Sequence, residues 1–212
     1  MTVRRRFPGQ EHQAGNPKIP TTVWYDRHGD AVKAGAEAEE QSIITTAEEQ
    51  GWTKVELYVP DAPRYPLNLS HHYLCARFKL RLRPKSMKLE MNGMKLPHLP
   101  KSKSAIEVFG DFLKYLFRCT RSFIIESHAA GAITWKAVEN DIQFVLSHPN
   151  GWEGAQQSKM RKAAIYAGLV PDTDEGKARV RFVTEGEASL HACILNGLTD
   201  DVLSVSHLSL KF

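Results

Sequence analysis

The stretch from Asp141 to Leu190 constrains this chain most, because every boundary in it is signalled by the residues themselves. Ile142, Phe144 and Leu146 alternate with Gln143, Val145 and Ser147, the period-two pattern of a strand with one deeply buried face. His148-Pro149-Asn150-Gly151 stops that strand: proline withholds a ladder donor, and glycine permits a positive φ. Asn150, with Glu153 three residues on, is expected to cap the next helix. Met160, Ala163, Ala164 and Ala167 form a stripe of mostly small side chains on that helix, suited to close packing, and Gly168 is placed to end it. After a polar loop from Pro171 to Lys177, Val180 and Phe182 alternate with Arg179 and Arg181 in a second strand. Thr184 and Glu187 then have capping-box spacing for a further helix. The order strand, helix, strand, helix predicts two neighbouring parallel strands with a covering helix, an α/β arrangement.

Other segments are read more briefly. Val3 to Phe7 has the composition of a strand end, and Pro8-Gly9 and Asn16-Pro17 break regular structure. Thr21 to Tyr25 and Ala31 to Ala34 are the arms of a hairpin around Asp26-Arg27-His28-Gly29-Asp30. A helix is expected from Ala36 to Gln50, stopping at Gly51, with its glutamates on a solvated face. The longest helix runs from Ser104 to about His128, opened by a Ser104/Glu107 capping box. Ile106, Phe109, Phe112, Leu113, Leu116, Phe117, Phe123 and Ile124 give it a broad apolar face.

With 212 residues and 42% hydrophobic content, the chain can bury a core in one or two domains. A net charge of +4 does not by itself make a nucleic-acid binder, and only Arg4-Arg5-Arg6 and the scattered cations from Arg77 to Lys103 are locally basic. Cys75, Cys119 and Cys193 are odd in number and far apart, which argues against a disulfide framework and for a reducing compartment. No apolar run reaches the roughly 18 residues of a membrane span, and no signal-peptide core comes after the first basic residues. The expectation is a cytoplasmic protein with no membrane partner. Leu57 to Arg77 lacks sustained periodicity. Its His71, His72 and Cys75 could ligate zinc, but no second ligand pair stands at finger spacing, so a surface loop is the plainer reading.

From His148 to Leu169 the sequence resembles, without a gap, the actin-like ATPase domain of the seventy-kilodalton heat-shock chaperones. That family writes V-P-A-x-F, then Q-R, then A-x-x-A-G-L. Pro149, Trp152, Gln156 and Ala164-Ile165-Tyr166-Ala167-Gly168-Leu169 stand in those places, with Gln157 where the family has arginine. Thr184-Glu185-Gly186-Glu187-Ala188-Ser189-Leu190 is similar to the family's N-E-P-T-A-A-A. The wording from His148 to Gln157 is closer still to a divergent branch common in fungi. Lys18-Ile19-Pro20-Thr21 and Gly35-Ala36-Glu37-Ala38 also resemble family segments around the hairpin.

The resemblance implies a ribonuclease H-like lobe with a mixed sheet. It divides the chain into an N-terminal strand, hairpin and helix part (1–56), an irregular insertion or retained intron (57–77), a helix-plus-βαβ core of the same lobe (78–200) and a tail outside the family pattern (201–212). Intact members bind ATP with magnesium between two lobes and hydrolyse it, and work with co-chaperones and client proteins. Glu185 matches the family glutamate near the metal and its waters; the alternative is a carboxylate that only favours a helix start. Lys79 is the candidate for the phosphate-contacting lysine, set against a solvated lysine because the insertion interrupts the match just before it. Glu187 is better explained as a cap partner, and His148 as lining the turn. The family's two glycine-rich phosphate hairpins, D-x-G-T-T and D-x-G-G-G-T, belong before residue 1 and after the last residue, and neither occurs in the 212 residues. The resemblance therefore implies no ATP or magnesium binding by this chain alone, with a non-catalytic interaction scaffold as the alternative.

Overall fold

A computed structural model describes residues 7–10, 19–56, 81–84, 99–100 and 102–195. The expected strand end at Val3–Phe7 therefore lies outside the described residues except for Phe7 itself, as do the 57–77 insertion, its histidines and Cys75, Lys79, and the 201–212 tail.

The described residues form a mixed α/β structure. Strand β1 (Thr22–Tyr25) pairs antiparallel with β2 (Ala31–Ala34) on one side and with β3 (Thr53–Glu56) on the other, giving the order β2-β1-β3. The hairpin turns on Asp26, whose Oδ1 accepts from the backbone N–H groups of His28 and Asp30, each at 2.9 Å. Both faces of β1 are covered, as its alternation requires: Val23 and Tyr25 enter the main core, and Trp24 packs on the opposite side with Ala38 and Ala47.

The helix expected over Ala36–Gln50 is broken. A 3₁₀ turn covers Gly35–Glu39, Glu40 is extended at φ −68°, ψ 135°, and α1 runs from Gln41 to Gln50. Tertiary bonds impose the break: the Trp24 indole N–H donates to the Ala38 carbonyl at 2.9 Å, and the Glu39 carboxylate is held by Thr22 Oγ1 at 2.9 Å and Lys54 Nζ at 3.1 Å. Gly51, at φ 64°, ends α1 as its position predicts. The glutamates are only partly a solvated face, since Glu37 and Glu39 hold Lys33 and Lys54 while Glu48 and Glu49 are exposed.

Helix α2 (Ala105–Ser127) begins with the expected capping box: Glu107 N–H donates to Ser104 Oγ at 3.3 Å, and Ser104 N–H donates to Glu107 Oε2 at 2.8 Å. It crosses α4 (Gly154–Tyr166) at Gly110, where a Cβ would lie 2.5 Å from Tyr166 Cδ1 and 2.9 Å from the Ala163 carbonyl oxygen. The alanine stripe of α4 thus has its use. Met160, Ala163, Ala164 and Ala167 are all buried. Helix α3 (Gly131–Val138), not foreseen from the sequence, is anchored by Trp135, whose ring lies 5.4 Å from that of Phe117.

Strands β4 (Phe144–His148) and β5 (Val180–Thr184) are parallel, as the chain order predicts, with α4 between them in sequence. The inner face of β4 is half-buried, not deeply buried as expected: Phe144 and Leu146 pack at the margin of the core, the Phe144 ring 5.8 Å from that of Phe117. The polar loop is also not all loop: α5 (Asp174–Ala178) lies in it, capped by Thr173 Oγ1, which accepts from Gly176 N–H at 3.1 Å. Helix α6 (Glu185–Leu195) continues directly from β5. Among the described residues the strands fall into two sheets rather than one mixed sheet, and the two are joined through α2, α4 and a shared core that includes Val23, Tyr25, Val108, Phe112, Met160 and Val180. No described helix is long and apolar enough to cross a membrane.

Candidate functional site at the ends of the parallel strands

Parallel strands end on the same edge of their sheet, so the segments that leave those ends meet there. His148 and Thr184 form the last register pair of β4 and β5. After His148 comes a turn in which Trp152 N–H donates to the Pro149 carbonyl at 3.3 Å and Gly151 takes φ 78°. The start of α4 corrects the expected cap. Glu153, not Asn150, is the N-cap, and its N–H donates to Gln156 Oε1 at 3.4 Å, leaving Asn150 in the turn. There Asn150 approaches α6: a Cβ on Gly186 would lie 3.6 Å from both Asn150 side-chain polar atoms.

His148 is 4% exposed. Its Nδ1 is 2.9 Å from the Pro149 carbonyl oxygen, which can only accept, so Nδ1 carries the hydrogen. Nε2, 3.2 Å from Gln157 Nε2, then accepts from that amide when the ring is neutral. Both ring nitrogens are thereby committed to holding the turn against α4, the lining role the sequence suggests. Gln157 stands where the resembling family has arginine, and here it serves the histidine.

Glu187 is the cap partner expected of it. Its Oε2 accepts from Thr184 N–H at 2.8 Å and Thr184 Oγ1 at 2.9 Å, and its own N–H donates to Thr184 Oγ1 at 3.1 Å. The Thr184 backbone N–H, and then its hydroxyl, hold the Glu187 carboxyl below its usual range. Glu185, by contrast, is the exposed first residue of α6, where the unsatisfied N–H groups of a helix start favour negative charge. A carboxylate so placed can hold a cation directly or through its waters. Among the described residues no group of three or more His, Cys, Asp or Glu side chains is arranged to hold a metal ion. Glu185 thus follows the His148–Thr184 rung directly, and its neighbour Gly186 lies against Asn150; Lys79 lies outside the described residues.

A second polar cluster was not legible in the sequence. Lys103 Nζ lies 3.0 Å from Asp111 Oδ2 and 3.0 Å from Tyr166 Oη, and Tyr25 Oη donates to the same Asp111 oxygen at 3.0 Å. The ammonium also sits 5.6 Å from the centroids of both tyrosine rings. Burial, then Asp111, pushes the Tyr25 hydroxyl far above its ordinary range. The cluster ties β1, α2 and α4 together. Its members are up to 141 positions apart in the chain (166 − 25), so no local pattern announces it.

No protein-family model, curated protein or solved structure matches this chain.

Proposed function

We propose that this chain is part of the first lobe of a ribonuclease H-like, actin-like ATPase domain of the heat-shock-70 type. The single observation that supports the reading most is the placement of Glu185 at the carboxyl end of parallel β5, one residue beyond the His148–Thr184 rung. In open α/β sheets ligands bind at that edge. In the intact domain Glu185 would hold magnesium or its waters beside the ATP phosphates, while the turn at Pro149–Gly151 and the α6 N-terminus shape the edge. The His148 and Glu187 contacts would keep that edge rigid; neither residue moves a proton. ATP supplies the phosphoryl group, and catalysis of its transfer rests on positioning and electrostatics.

By itself this chain does not bind MgATP, because the glycine-rich loops that cradle phosphates are not among its 212 residues. Calorimetric titration of MgATP tests this on two proteins: the chain as it stands, and a version extended in both directions through the flanking coding sequence. The expected result is binding by the extended version only. Micromolar binding by the short chain, or none by either, contradicts the proposal.

One observation favours a second reading, a non-catalytic scaffold derived from the same lobe. Leu190, Ile194 and Leu195 of α6 and Val145 of β4 are exposed, a surface suited to a protein partner such as a co-chaperone or client. Both readings place the protein in the cytoplasm and away from nucleic acid. A short chain that captures a partner without nucleotide, and an extended one that binds none, would favour the scaffold.

A further inference from the structure

A groove of about 850 Å³ lies between β2 and one face of α2, and Lys103, Asp111 and Tyr166 of the second polar cluster line it. Every hydrogen bond of the Asp111 carboxylate falls on one oxygen: Oδ2 accepts from Tyr25 Oη and from Lys103 Nζ, each at 3.0 Å. Oδ1 has no protein donor among the described residues, and it is not sealed inside the core although the side chain is only 10% exposed. The Lys103 ammonium spends two of its three hydrogens on Asp111 and Tyr166. The Tyr166 hydroxyl, which accepts there, keeps its own hydrogen to donate.

An acceptor and donors thus stand side by side, and the charges of Lys103 and Asp111 cancel. Their complement is a neutral group that both donates and accepts, as a hydroxyl does. A ligand ammonium would be opposed by Lys103, and a ligand carboxylate by Asp111.

Farther along α2 the demand is for negative charge. Lys114 and Arg118, neighbours on the helix at i and i+4, are exposed, line the groove and pair with no carboxylate among the described residues. Of the acids in the lining, Asp111 and Glu37 already hold lysines, and Asp30 lies in the hairpin turn. Glu126 stands about two turns beyond Arg118. From Asp111 the helix rises about 4.5 Å to Lys114 and about 10.5 Å to Arg118, a span that one sugar unit covers.

We propose that this groove binds a phosphorylated polyol such as a sugar phosphate, with a hydroxyl between Asp111 Oδ1 and Tyr166 Oη and the phosphate on Lys114 and Arg118. The groove lies against β2, whereas the Glu185 edge ends β4 and β5, so this inference neither needs the ATPase reading nor falls with it.

Calorimetric titration of the full 212-residue chain with glycerol 3-phosphate, ribose 5-phosphate and glucose 6-phosphate tests it. At least one should bind with a Kd of about 0.1–1 mM. Inorganic phosphate and the unphosphorylated polyols, which satisfy only one end of the groove, should each bind at least about tenfold more weakly. Lys114→Ala/Arg118→Ala should weaken binding at least about tenfold. Arg121→Ala removes an exposed cation of the same helix that does not line the groove, and it should bind like the parent. All three substitutions fall on exposed residues and should leave the melting temperature unchanged. Binding of none of the three phosphates overturns the proposal, as does equal binding of inorganic phosphate. So does an unchanged affinity in the double variant, or an equal loss in Arg121→Ala.

Discussion

His148 and Thr184 occupy the last rung of the parallel ladder between β4 and β5, so the turn after one strand and the helix after the other are built side by side. Hydrogen bonds lock each end: His148 bridges Pro149 and Gln157, and Thr184 exchanges bonds with Glu187. Glu185, the first residue of α6 after Thr184, is exposed to solvent.

The α2–α4 crossing depends on a missing side chain. Gly110→Ala should destabilise the protein by about 1–3 kcal/mol, because overpacking against Tyr166 and the Ala163 carbonyl outweighs the better helix propensity of alanine. Gly154, where an added Cβ meets nothing within 4 Å, is the control: Gly154→Ala should be neutral or stabilising by up to about 1 kcal/mol. Urea denaturation of both variants checks the contrast.

Lys103 and Asp111 have side chains only 12% and 10% exposed, so breaking the pair leaves an uncompensated charge in a poorly solvated place. Lys103→Met should cost about 3 kcal/mol. Adding Asp111→Asn should recover part of that loss, since the neutral amide still accepts from Tyr25 without carrying a charge. Denaturation of the single and double variants measures the coupling.

Acid should weaken the α2 start in a defined window. The Ser104 backbone N–H, then its hydroxyl, hold the Glu107 carboxyl below its ordinary range. A carboxyl whose folded pKa is depressed contributes stability that is present above its unfolded value, about 4.3, and lost as pH falls through the folded value. The melting temperature should therefore fall on acidification below about pH 5, and it should fall less steeply in Glu107→Gln. Asp26, lowered mainly by the Asp30 backbone N–H, adds to the slope in both proteins.

How much of the fold is readable from the residues depends on how local each signal is. The caps at Ser104 and Thr184, the alanine stripe of α4 and the strand at Val180–Phe182 are written within a few residues and stand where the sequence puts them, except that Arg179, expected in the strand, is the helical C-cap of α5. Strand β3 carries a single apolar residue, Val55; its state is set by pairing with Val23 far earlier in the chain. Helix α3 is fixed by Trp135 against Phe117, and by Gly131, where a Cβ would lie 2.2 Å from the Ile124 carbonyl oxygen. At the candidate site, the Glu187 cap was legible from its spacing to Thr184, whereas Glu185 is singled out only by the family resemblance. The approach of Asn150 to Gly186 was not legible, because it arises only when two strands lie in register.

The most direct test of the proposed lobe is ATP turnover by the extended chain with Glu185→Gln, which keeps the size of the side chain and removes its charge. Loss of a group that organises the metal and its waters should lower kcat at least about tenfold, with MgATP affinity changed much less. Turnover equal to that of the unsubstituted extended chain would contradict the account.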